Sequence, residues 1–264
     1  MTTALLSTTY FGPVQWYQKL YRYDHILIEQ HESFPKQTYR NRCIIATTQG
    51  PQALTVPVSH SKQLTGVKGT QECSMFNVQC SMFNVQCSTF NVQCSMFNVQ
   101  CSTANTLLSD HGNWRHLHWQ ALQSAYGDSP FFEYYADDLR PFFFEHRWTR
   151  LIDFNEAIRQ TICELLDIHP HVEYTTEFFP LSSPQRHRDS EFLITPLPQQ
   201  GGAWGESHSP LDFRTAISPK HPADDPDFKP RRYYQVYERK HGFLPNMSIL
   251  DLLFNMGPES IFYL

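Results

Sequence analysis

Between Glu29 and Arg42 the chain reads EQHESFPKQTYRNR, a dense run of residues that can do chemistry. Glu29, His31 and Glu32 can carry protons. Lys36 offers a point charge, and Arg40 and Arg42 can each fork a carboxylate or a phosphate. These residue types suit an anionic ligand but name no reaction, and a solvated charged loop has the same composition. His118 is a second candidate for proton transfer. It sits beside His116 in His116-Leu117-His118, which looks like a metal pair. On a helix, however, positions i and i+2 lie about 200° apart and cannot share one ion. His118 lies on the Trp114–Leu122 face, a placement equally suited to a satisfied, half-buried histidine. No metal ligands are assigned. Gly-x-Gly-x-x-Gly, Walker A and Gly-x-Ser-x-Gly loops are absent, so no cofactor is assigned either. Cys163 reads as core, and Cys43 has no base beside it in sequence.

The elements that must position these residues follow from their patterning. TALLSTTYF reads as a buried strand, GPVQWYQKLYRYD as a helix opened by Gly12-Pro13, and HILIEQ as a second buried strand. Strand, helix, strand is a βαβ start with the two strands parallel. The charged run therefore leaves a strand end, which is where α/β proteins place ligands. RCIIATTQGPQALTVPV predicts a hairpin turning near Gln49-Gly50-Pro51. A helix is expected over NWRHLHWQALQSAYGD. A second, in RWTRLIDFNEAIRQTICELLDIHP, carries Leu151, Phe154, Ile158, Ile162 and Leu165 at helical spacing. VEYTTEFF reads as a late strand, and residues 181–230 as mostly irregular. SILDLLFN reads as a short helix with Ser248 and Asp251 as a capping-box pair, closed at Gly257-Pro258. The fold class is α/β or α+β, with a small mixed sheet and flanking helices in one domain spanning 1–264.

Residues 61–106 read as an exposed low-complexity insertion, since loops tolerate added length at small entropic cost. Within it, CSMFNVQ recurs from Cys73 onward, with Thr89 where the other units carry Met75, Met82 and Met96. An odd period flips every side chain of a strand to the opposite face, and the units lack charges for the flanks of a coiled coil. The genetic code accounts for the tract better. TGTTCAA read in triplets spells Cys-Ser-Met-Phe-Asn-Val-Gln, and ATG to ACG converts Met to Thr. The repeat is thus a DNA event before it is a protein feature.

Composition narrows the classes. With 264 residues, 41% hydrophobic and 18% charged, the chain is long and apolar enough to bury a core. A net charge of −5 without long basic runs gives no nucleic-acid surface. Five of the seven cysteines belong to the repeat, at a spacing unlike that of zinc sites. No stretch predicts a signal peptide or a membrane span, so a reducing cytoplasm is the expected setting.

The order of motifs resembles the WbqC family of bacterial surface-polysaccharide (O-antigen) gene clusters. YFGPVQWYQKL is similar to the family's turn into its first helix, matching at Tyr10 and by type at Trp16 and Tyr17. Asp24, Lys36, Tyr39, Asn41 and Arg42 follow in family order, then LTVPV, then His118, Trp119 and Tyr126. PNMSILDLLFNMG resembles the family's ending. Where members often carry Asp-Asp-x-Gln after the second strand, this chain has Gln30-His31-Glu32-Ser33. The resemblance implies a transferase of surface-polysaccharide synthesis that attaches an acyl or aminoacyl group to an amino sugar. The alternative is a non-catalytic sugar-binding or assembly protein. The partner expected is a nucleotide-linked or lipid-linked sugar. Lys36, Asn41 and Arg42 would hold an anionic group, Tyr10 or Trp16 would stack on the ring, and His118 or His31 would move the proton.

Overall fold

The βαβ start is present and sets the frame. The computed structural model describes residues 2–60, 102–180, 210–220 and 222–264. Strand β1 (Thr3–Ser7) leads through helix α1 (Val14–Arg22) to strand β2 (His25–Glu29), and the two strands pair in parallel from Thr3↔His25 to Ser7↔Glu29. Ala4, Leu5, Leu6, Ile26, Leu27 and Ile28 are all buried, as expected of a parallel sheet covered on both faces. Pro13 precedes the helix with extended backbone. Val14, Tyr17 and Leu20 bury one side of α1, while Gln15, Gln18 and Lys19 are buried on the other, where Lys19 pairs with Asp225 at 2.8 Å.

The hairpin forms as expected, from β3 (Arg42–Thr47) and β4 (Gly50–Thr55), antiparallel, with Gly50 at φ 102° in the turn. Strand β5 (Val58–His60) pairs with β6 (Thr106–Leu108). The heptapeptide tract, which makes up most of the expected insertion, lies outside the described residues. Ser102, Thr103 and Thr106 are buried, and Ser102 bridges to Ser33. These residues close onto the loop after β2 and are part of the packed domain.

Helices α2 (Trp114–Tyr126) and α5 (Leu151–Leu165) match their expected spans. Between them lie α3 (Phe132–Leu139) and α4 (Pro141–Phe144), which the sequence reading left unassigned. Phe132, Tyr135 and Leu139 are buried at helical spacing, a signal hidden by the aromatic crowd around it. Aromatic rings fill the centre: Phe11 stacks on Phe143 at 5.9 Å and Tyr10 on Phe154 at 5.9 Å.

The sheet is not mixed. Strand β7 (Val172–Tyr174) pairs in parallel with β2, and β8 (Leu211–Asp212) in parallel with β1, giving the order β7-β2-β1-β8. The antiparallel strands form two separate ribbons. β8 lies where irregular chain was expected, because two residues carry no period. The late strand is shorter than expected, although Thr175 still donates its N–H to Ile28. After α6 (Glu238–His241), helix α7 (Ile249–Met256) begins at Ser248, whose hydroxyl accepts from Leu250 N–H. Asp251 does not complete a capping box; its carboxylate is drawn inward to Tyr126, Tyr233 and Gln235. Gly257 ends the helix at φ 56°, and a Cβ there would fall 2.5 Å from the Phe131 ring. Among the described residues no helix is long and apolar enough to cross a membrane.

Candidate active site

The C-terminal ends of β1, β2, β7 and β8 converge on one buried cluster of charge. Strand β2 ends in Glu29, which is fully buried. Its carboxylate accepts from His31 N–H at 2.7 Å, Thr175 Oγ1 at 3.0 Å and Phe179 N–H at 2.8 Å. The loop that follows supplies Glu32 and Arg40, also buried. They form a two-point pair, Nε to Oε1 at 2.8 Å and Nη2 to Oε2 at 2.6 Å, and Arg40 Nη2 also lies 2.8 Å from Ser7 Oγ at the end of β1. From β8, Asp212 forks Arg214 at 2.9 and 2.7 Å, and Arg214 Nη1 lies 3.7 Å from Glu29. Burial works against the Arg214 charge, yet Asp212, Glu32 and Glu29 hold its pKa above the ordinary guanidinium value.

Among the described residues two guanidiniums face three carboxylates, a formal excess of one negative charge. The cluster borders a cavity of ≈ 10 Å³ lined by Ser7, Thr8, Thr9, Trp16, Tyr39 and Arg40, with Arg214 and Ile217 at its side. That is room for about one water molecule. Thr9 Oγ1 is buried there without a hydrogen-bond partner. The loop carrying Thr9 is tightly held. Phe11 adopts left-handed backbone at φ 41°, its carbonyl accepts from Ser248 Oγ at 2.8 Å, and Tyr10 N–H donates to Tyr39 at 2.8 Å. Gly12 is required here, because a Cβ would lie 2.5 Å from Thr9 Oγ1. Strained backbone concentrated at a strand end of a parallel sheet, next to an unpartnered hydroxyl, is the arrangement ligand sites use.

The WbqC-like protein family model matches residues 8–71 and 88–263. The chain belongs to the WbqC-like protein family. The match breaks inside the heptapeptide tract and covers nearly everything else, including each residue of the charge cluster. A mycobacterial member of the curated proteins, the uncharacterized protein Rv1507c of Mycobacterium tuberculosis (strain ATCC 25618 / H37Rv), is 27% identical over 243 residues, 91% of this chain and 87% of that protein. No solved structure matches the chain.

The residues that carry the WbqC resemblance fall into three groups. Some are locked into the frame. Tyr10 is fully buried, with its hydroxyl 2.9 Å from His118 Nδ1, and His118 also hydrogen-bonds the Thr55 backbone. Burial drives the His118 pKa down to about 4, with the Thr55 backbone opposing, so the ring is neutral. Asn41 clasps Val56 O at 2.7 Å, and Tyr126 bridges Ala46 and Asp251. Trp16 belongs partly to the site: its indole N–H holds Ser7 O at 2.9 Å while its ring lines the cavity. His31, Lys36 and Arg42 lie outward. The His31 ring is exposed with Nε2 3.1 Å from Thr175 O, Lys36 is exposed, and Arg42 is half-buried with Nε donating to Thr55 Oγ1 at 3.0 Å. His118, Lys36 and Arg42 do not line the cavity beside Arg40. Sequence reasoning missed Thr9, Asp212 and Arg214. An Asp-x-Arg step at a strand end was the available signal for the last two. Nothing in one sequence marks a threonine as unpartnered.

Both cysteines outside the repeat are buried and free. Burial raises the Cys43 thiol far above its ordinary value and Cys163 to about 11, so neither presents a thiolate. A larger cleft of ≈ 370 Å³ lies at the start of α2, lined by Asp110, Asn113, Trp114, Arg115, His116 and the α4 aromatics Phe143 and Phe144.

Proposed function

We propose that this WbqC-like protein is a transferase of bacterial surface-polysaccharide synthesis, moving an acyl or aminoacyl group onto the amine of a nucleotide-linked or lipid-linked amino sugar. One observation carries the reading: the buried cluster of Glu29, Glu32, Asp212, Arg40 and Arg214, with one carboxylate in excess, beside the unpartnered Thr9 hydroxyl at the C-terminal edge of a parallel sheet. An excess carboxylate draws in an ammonium. To attack an acyl carbon that nitrogen must lose a proton, and His31, exposed beside Glu29, takes it; as the amide bond forms, the bond from the acyl carbon to the donor's leaving group breaks and His31 returns the proton to that group. The general-base role expected of His118 passes to His31, since His118 is buried out of reach and its depressed pKa makes it a weak base. His118 and Tyr10 hold the β1–α1 loop. Arg40 and Arg214 donate to oxygen that gains charge during transfer. Lys36 and Arg42 hold the phosphates of the carrier at the rim. A sugar needs more room than the cavity offers, so the reading requires loop 30–41 to move outward on binding. Incubation with amino-sugar nucleotides and activated acyl donors, followed by mass spectrometry, should reveal an acylated sugar that Arg40→Lys and Glu32→Gln proteins fail to make. A wild-type protein that neither binds nor modifies any of them would end the enzyme reading.

The large cleft favours the second reading, a sugar-binding or assembly protein. Trp114, Phe143 and Phe144 offer apolar faces and Asp110 an acceptor, the usual furniture of a sugar ring site. Sugar binding lost in Trp114→Ala and kept in Arg40→Lys would select it.

The coding of the repeat supports control by repeat length. Because TGTTCAA is not a whole number of codons, losing or gaining one unit shifts the downstream frame. Everything from α2 onward, including Arg214, would be lost. The tract then needs no role as polypeptide. Sequencing it across single-colony isolates should show several unit numbers; a fixed number, or codons without the seven-base period, would remove the idea.

A further inference from the structure

We propose that His25, His171 and Glu173 form a binding site for a divalent transition-metal ion of the zinc type, at the opposite end of the sheet from the charge cluster. The placement follows from register. β2 and β7 run parallel with Ile26 opposite Val172 and Leu27 opposite Glu173. Side chains alternate along strands, so His25, His171 and Glu173 project from the same face, with the two histidines on adjacent strands. The imidazole centroids lie 4.8 Å apart at 32°. Glu173 reaches both: Oε2 is 3.4 Å from His25 Nε2 and Oε1 is 3.9 Å from His171 Nε2. One donor atom from each residue falls within 4.8 Å of the other two.

The Glu173–His25 separation is that of two ligands on a shared ion, and His171 lies within about an ångström of joining them. Zinc held tetrahedrally at 2.0–2.2 Å places its ligands about 3.3–3.6 Å apart. The carboxylate–imidazole distances are already close to this edge length. The remaining closure falls to His171, whose exposed ring is free to turn, while His25 is half-buried and anchored at the start of β2. Two imidazoles and one carboxylate suit zinc, nickel or cobalt(II) and leave one position for water. A simple ion pair between Glu173 and a protonated His25 would not need the second imidazole beside it. The sequence signal is His171-Val172-Glu173 on an edge strand, which becomes legible only once β7 is known to pair with β2.

The site has a consequence for the sheet. β7 is a three-residue strand that among the described residues pairs with β2 alone, and it leads directly to Thr175, which binds Glu29. An ion bridging β2 and β7 pins that edge, so binding should raise the melting temperature.

Cobalt(II) titration of the full chain, followed by visible absorption and by thermal unfolding, tests the site. The thirteen histidines and the repeat cysteines make controls essential. The wild type should bind one equivalent in a nitrogen–oxygen environment and melt higher as the ion is added. His171→Ala and Glu173→Gln, both exposed positions, should weaken that binding at least about tenfold and lose the thermal gain. His169→Ala, a neighbouring exposed histidine, should change neither. Equal affinity in all four proteins, thiolate-to-cobalt bands in place of nitrogen–oxygen spectra, or no binding in the wild type would overturn the proposal.

Discussion

Two buried carboxylate clusters lie within this one domain, and they behave differently. Around Asp251, Tyr126 donates at 2.8 Å, Tyr233 at 2.7 Å and Gln235 at 2.7 Å, and no cation takes part. Burial lifts the Asp251 carboxyl above its ordinary range while the three donors pull it back. Among the described residues these three donors all meet the one carboxylate. At the C-terminal edge of the sheet, by contrast, full charges oppose one another, the sum is uneven, and an unpartnered hydroxyl borders a cavity. Buried polarity alone therefore does not mark a site. Spare capacity does: an unmatched charge, an unused donor and adjacent space.

The sharpest way to break this contrast is to truncate the sealed cluster. Asp251→Ala leaves two tyrosine hydroxyls and an amide without their acceptor, and should cost about 3–5 kcal/mol of folding stability. Asp251→Asn, which keeps an acceptor, should cost clearly less. Urea unfolding of both proteins measures this. If Asp251→Ala proves as stable as wild type but inactive, the sealed cluster is the working one and the contrast is inverted.

His118 separates frame from chemistry by its pH signature. The unfolded ring titrates near 6.5 and the folded ring near 4, because burial opposes its charge. Between those values the unfolded chain binds more protons, so stability should fall as pH drops from 6.5 towards 4 and be fully present above 6.5. The whole fall is worth about 3 kcal/mol. Asp225 and Glu156 are held below their ordinary values of 3.8 and 4.5 and act only beneath them, whereas Asp251, lifted above its ordinary value, gains stability as pH falls, so the difference between wild type and His118→Gln isolates His118. Denaturant midpoints across this range should fall further with pH in the wild type than in His118→Gln. Matching profiles would mean the ring is open to solvent and available for catalysis after all.

Arg40→Lys tests the open cluster more gently. Lysine keeps the charge but cannot fork Glu32 and reach Ser7 together, so a loss of about 1–2 kcal/mol is expected, with transfer activity reduced far more than that loss of stability could explain. Activity that merely tracks the folded fraction would reduce Arg40 to a structural role.

What was legible in the sequence divides along the same line. The βαβ start, the hairpin and the two long helices announced themselves because each repeats a period over many residues. Loop 29–42 was legible as chemistry by residue type. Which of its arginines turns inward was not: Arg40 and Arg42 are two positions apart, one buried and one half-exposed, and only the packing of Ser7 and Glu32 decides between them. The Asp212-x-Arg214 step was visible, but the strand before Arg214 is two residues long and its partner in space, Glu29, lies far away in sequence, so nothing directed it to the site. His118 stayed ambiguous in sequence for the opposite reason, since a histidine on an apolar helix face serves equally as a sealed hydrogen-bond partner or as a base.

The smallest expected effect therefore discriminates most finely. Arg42 donates to Thr55 Oγ1 from a half-exposed strand start, and Lys36 is exposed. Arg42→Lys should change stability by less than about 0.5 kcal/mol, within the range of surface substitutions. If Arg42 holds carrier phosphate at the rim, the same variant should weaken nucleotide-sugar binding several-fold, and Lys36→Ala should do likewise, with both losses shrinking as salt screens the contact. Binding unchanged in both variants but abolished in Arg40→Lys would place anion recognition wholly in the buried cluster. Binding lost in Arg42→Lys but untouched in Arg40→Lys would move the site to the hairpin edge and leave the buried arginines as frame.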